Sequence, residues 1–106
     1  MKKRWLVFMT VSLLSIQFLV AHTVLVSNTN EEVNGDISSP AALVANPGPD
    51  GISLYEAIAA AEATTEYDTI KFDPSLIGSV ITINDGLEWI IQGNLTIDGD
   101  IDNDSI

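Results

Sequence analysis

Residues 46–83, NPGPDGISLYEAIAAAEATTEYDTIKFDPSLIGSVITI, constrain the fold more than any other stretch: a turn-rich loop, a capped helix and two strand-like runs follow one another without a gap. Pro47, Gly48, Pro49, Asp50 and Gly51 make the loop, since proline fixes φ and glycine supplies the positive φ of tight turns. Ser53 and Glu56 then stand three apart, the spacing of a reciprocal capping box, so a helix should start there. Leu54, Ile58 and Ala61 give that helix one narrow apolar face. Its alanines favour helix but bury little area, so it must lean on a larger partner.

The partner expected is the pair of runs that follows. Thr69–Phe72 and Val80–Ile83 alternate with period two, placing Ile70 and Phe72 on one face and Ile81 and Ile83 on another. Asp73-Pro74-Ser75 and Gly78-Ser79 are turn material between them, and Leu95-Thr96-Ile97 is a third short run after Gly93-Asn94.

The strings GISLYEAI, DTIKFDPSLIG, VITI and NLTIDG, in this order, resemble the N-terminal CSLREA-type module of secreted bacterial right-handed parallel β-helix proteins, which share the pectin-lyase-like fold. The likeness runs from about Val44 to Asp100, roughly half the chain. Ile52 stands where that family usually has Cys, and Tyr55 where it has Arg, so the roles those two side chains would serve are missing. The resemblance implies a mainly β fold: the start of a right-handed parallel β-helix closed by a short N-terminal α-helix. On that reading residues 1–21 are a signal peptide, 22–45 an N-terminal strand and exposed loop, and 46–106 the capping helix with the first coil or coils of an apparently truncated solenoid. A solenoid coil buries its face only against neighbouring coils, and 106 residues offer few of them.

Charge narrows the function classes. Lys2, Lys3 and Arg4 lie at the extreme N-terminus, leaving Lys71 alone against 15 acidic residues beyond Ala21, a net of −14. Such a surface repels phosphate backbones, which excludes nucleic-acid binding through a basic face. The chain has no cysteine, hence no disulfide, thiolate metal site or thiol nucleophile.

Met1–Ala21 has the layout of a secretory leader: a basic start, an apolar run and a small residue, Ala21, at the exit. The competing reading is an uncleaved membrane anchor, which Thr10, Ser12, Ser15 and Gln17 weaken by diluting the apolar run. Thr23–Ser27 reads as the first strand after the leader, and Asn28–Ala42 as an exposed loop with Asn34-Gly35 as a turn and Pro40 as a breaker. His22, the only histidine, has no partner at ligand spacing and reads as incidental. Tyr67 is placed to cover the end of the core, and Trp89, among isoleucines, reads as core or core-edge packing rather than a sugar platform.

Asp98, Asp100, Asp102 and Asp104 are spaced two apart, so their oxygens can converge on one hard cation such as Ca²⁺. The bland alternative is a solvated acidic turn, because the glycine and bidentate glutamate of an EF-hand loop are absent. No cofactor other than Ca²⁺ is expected. Catalysis by this segment is not expected either: hydrolases of the resembled fold use aspartates from adjacent coils, and its lyases use a basic residue beside Ca²⁺, yet Arg4 is the only arginine. The expectation is a non-catalytic capping module of an exported, adhesin-like cell-surface protein, with an extracellular polysaccharide, a cell-surface protein or further β-helix coils as partners. The alternative is the front of a polysaccharide-acting lyase or hydrolase. Membrane contact would come only through an uncleaved leader.

Overall fold

In a computed structural model, residues 20–84 and 90–104 are described. The expected leader up to residue 19 and Trp89 lie outside them. Strand β1 (Thr23–Val26) is followed by helix α1 (Pro40–Ala45), helix α2 (Leu54–Glu62), strand β2 (Asp68–Phe72), a 3₁₀ turn (Pro74–Leu76) and strand β3 (Leu95–Ile97). The three strands form one sheet in the order β1-β2-β3, and both pairings are parallel. Parallel neighbours cannot be joined by a hairpin, and the two helices occupy the first crossover.

This arrangement overturns the β-helix expectation. What forms is an open three-stranded parallel sheet with two helices, and the helices hold six and nine residues against four, five and three in the strands. The sequence feature that misled is the second alternating run. Val80–Ile83 is not a strand: Val80 is 79% exposed and Ile83 57% exposed, and no backbone partner holds them in a ladder. Period two alone does not make a strand: the run has to pair with a sheet edge, and residues 80–83 do not.

The helix once assigned to a solenoid end lies instead over the face of the sheet. Ala57, Ile58, Ala60 and Ala61 are buried on α2 and share one core with Val24 and Val26 of β1, Ile70 of β2, Leu43 of α1 and Ile52. Alanines suit this contact because they let a helix backbone approach the sheet closely. Ile70, expected beneath the helix, is there; Phe72 and Ile81 pack at the margin of the core, whereas Ile83 does not join it. Burying each large aliphatic in this core contributes roughly 1.5–3 kcal/mol.

The segment read as an exposed loop holds α1. Ser39 is its N-cap, accepting the Ala42 N–H at 3.0 Å, and Pro40 occupies the first turn. Proline starts this helix rather than breaking one, since its missing N–H costs nothing at that position. Leu43 and Pro40 are thereby buried. Tyr67, expected over the core end, is 66% exposed.

Candidate functional site

Three polar constellations stand out, two buried and one exposed. The first is built on Glu56, whose side chain is fully buried. The capping box forms as its sequence spacing requires: Glu56 N–H donates to Ser53 Oγ at 3.1 Å, and Ser53 N–H to Glu56 Oε1 at 3.0 Å. Its other oxygen does something that spacing does not reveal. Oε2 accepts the N–H of Asn34 at 3.1 Å and of Gly35 at 2.6 Å, pinning the loop before α1 to the start of α2. A carboxylate taken out of water is tolerable when several N–H groups replace the lost hydration. Gly35 is needed for the approach, because a Cβ there would stand 2.9 Å from Oε2 and 2.7 Å from Leu43 Cδ1.

The loop is tied on its other side as well. Ser27 N–H donates to Ile52 O at 2.8 Å and Ile52 N–H to Ser27 Oγ at 2.9 Å, while Asn28 and Asn30 amides reach Asp50 at 2.9 and 2.8 Å. Gly51 has φ of +84°, and any side chain there would collide with Ser27 Oγ.

The second buried carboxylate is Asp68, 1% exposed at the start of β2. Asp68 Oδ1 accepts the main-chain N–H of His22 at 2.9 Å, and Oδ2 accepts the Thr64 hydroxyl at 3.1 Å. His22 is fixed in turn by its carbonyl, which accepts Thr69 N–H at 2.9 Å. The contact between His22 and Asp68 has no local signal in the sequence, since 46 positions separate them.

The exposed constellation is the acidic segment after β3. Asp100, Asp102 and Asp104 each bring a carboxylate oxygen within 4.8 Å of the others, so this cluster offers a hard-oxygen site for a cation. The chain bends inward here, with Asn103 in the left-handed region at φ 57° and the Asp104 N–H donating to Asp100 Oδ1 at 3.1 Å and Asp102 Oδ1 at 3.3 Å. Asp98 is not among the three that converge. Its Oδ1 accepts Asp100 N–H at 3.0 Å, and its Oδ2 stands 3.8 Å from Lys71 Nζ. That pair is half-exposed and contributes little to stability.

Two open grooves flank this segment. One, about 190 Å³, runs past Lys71, Asp98, Asp100 and Asn103; the other, about 260 Å³, is mainly apolar and lined by Phe72, Leu76, Ile81 and Ile101. Among the described residues, no helix is long and apolar enough to cross a membrane.

No family model matches the chain, and neither characterised proteins nor solved structures include one similar to it. The likeness to the CSLREA-type module therefore rests on the quoted strings alone.

Proposed function

We propose that this chain is an exported, non-catalytic N-terminal module of a cell-surface protein, and that its sheet receives a further protein strand along β3. The observation that carries this reading is the fall of burial along one register row. Val24, Ile70 and Ile97 are aligned across the sheet, yet the first two are fully buried and Ile97 is 45% exposed. Asn94 carbonyl and Asp98 N–H bond inward to β2, so alternation turns the main-chain groups of Leu95 and Ile97 outward, along an edge on which the described residues place no further strand. Such an edge is a template for strand addition. The basic, apolar start of the sequence and the mature charge of −14 support export and a soluble surface.

Antibodies raised against residues 22–84 test the location: they should label intact cells, and labelling only after the cells are opened would sink the proposal. Ile97→Pro tests the edge. Proline removes an outward donor without touching the bonds to β2, so the fold should survive while any strand addition at β3 is lost.

Ca²⁺ is the cation this reading assigns to Asp100, Asp102 and Asp104. Each offers a carboxylate oxygen, and these oxygens lie within 4.8 Å of one another, close enough to share one ion with bonds of about 2.4 Å. Three carboxylates leave several positions to water, so affinity should fall in the weak extracellular range of about 10⁻⁴–10⁻³ M. Bound there, the ion would stiffen the chain leaving β3. Calorimetric titration at physiological salt should give binding heat that Asp102→Asn abolishes; no heat at millimolar Ca²⁺ rejects the assignment.

A further inference from the structure

Among the described residues, no lysine or arginine is paired with the buried Asp68 carboxylate. Its two hydrogen-bond partners, the His22 N–H at 2.9 Å and the Thr64 hydroxyl at 3.1 Å, which also faces the Ala61 carbonyl, are both neutral, and the site is only 1% exposed. A carboxylate so placed is costly unless a cation stands beside it. Lys71 is the only lysine or arginine among the described residues, and it is engaged at Asp98. The hydrogen-bond donor that reaches the Asp68 carboxylate from outside its own segment is a main-chain nitrogen, and it belongs to the residue that follows Ala21.

Ala21 carries the small side chain that leader-removing peptidases accept before the scissile bond. Val20 and Ala21 are exposed, whereas Val24 two residues past His22 is fully buried. The Ala21–His22 bond therefore sits at the point where accessible chain meets folded sheet.

We propose that hydrolysis of the Ala21–His22 peptide bond converts the His22 nitrogen into an α-ammonium group that forms a buried ion pair with Asp68, so that leader removal completes the fold. Water supplies hydroxyl to the Ala21 carbonyl carbon and hydrogen to the His22 nitrogen. The Ala21 carboxylate departs with the leader, and the new amine takes up a proton at neutral pH. No rearrangement is needed, because the Thr69 N–H to His22 carbonyl bond of 2.9 Å already holds this nitrogen against the carboxylate. The other titratable groups near the new terminus are the His22 imidazole and Glu66, whose carboxyl is held below its ordinary value first by its own N–H and then by the Thr64 hydroxyl. With the leader attached, the main chain of this residue offers Asp68 a single neutral N–H. The inference rests on the export reading for the leader, but the ion pair can be tested apart from it.

Two measurements separate the parts. N-terminal sequencing of the exported protein should begin at His22, and any other start overturns the processing step. For the ion pair, chains beginning at His22 and at Ala21 are compared, each with Asp68 and with Asp68→Asn. The His22 start should raise the folding equilibrium constant at least tenfold over the Ala21 start when Asp68 is present, and less than twofold when it is replaced. Equal stability of the two starts with Asp68 present overturns the pair. Should Asp68→Asn fail to fold, NMR titration of the α-amine decides: a value above the ordinary α-amino range of about 7.7–8.0 is expected for the His22 start, and a value within that range overturns the proposal.

Discussion

The two ends of one register row behave as though they belonged to different proteins. Under α2, Val24 and Ile70 are sealed by Ala57, Ile58 and Ala60, and two carboxylates, Glu56 and Asp68, are buried with their bonds filled. At β3, Ile97 stays open, and of the acids that follow it Asp98 and Asp100 are half-buried while Asp102 and Asp104 are exposed. Helix cover makes the difference: α2 packs mainly on β1 and β2, so burial falls off toward β3. The carboxylates beneath the helix are structural bonds, whereas those beyond β3 stay in contact with solvent.

Ile58→Asp attacks the covered side most severely. It puts a charge where Ile58 is now buried against the sheet, and a loss of about 4 kcal/mol or more is expected. Retained solubility and protease resistance would mean that α2 does not hold the sheet. Glu56→Ala comes next, stranding the N–H groups of Asn34, Gly35 and Ser53, with an expected loss of about 3 kcal/mol. Glu56→Gln should recover part of it, because one amide oxygen still accepts, and denaturant melts of both variants check the order.

Ile70→Ala against Ile97→Ala sharpens the contrast within a single row. The first should cost about 3 kcal/mol and the second less than about 1, since only Ile70 leaves a cavity. Equal losses would show that β3 is as well covered as β2. The smallest effect is acidic. The Ser38 hydroxyl and N–H hold Asp36 below the ordinary carboxylate range, and the Ser75 hydroxyl and N–H do the same for Asp73. Groups with depressed folded values stabilise above the unfolded pKa of about 3.9, and that contribution is lost as pH falls through the folded values. Melting temperature should therefore decline slightly below pH of about 4, and the decline should shrink in Asp73→Asn.

What could be read directly from the residues was local. Ser53 and Glu56 announced a capped helix because a capping box needs only three-residue spacing, and β-branched runs at 23–26, 69–72 and 95–97 announced strands. Helix α1 was also written locally, in Ser39-Pro40, but proline's two meanings made it look like a breaker. Whether Val80–Ile83 would find an edge, which face of the sheet α2 would cover, and which of four aspartates would converge were not local matters. Nor was the second oxygen of Glu56 or the meeting of His22 with Asp68. Spacing along the chain fixes hydrogen bonds a few residues apart, because the backbone geometry between them is nearly rigid. Contacts across 20 or 46 positions depend on how the crossovers fold back, and only packing of the whole sheet and its helices decides that.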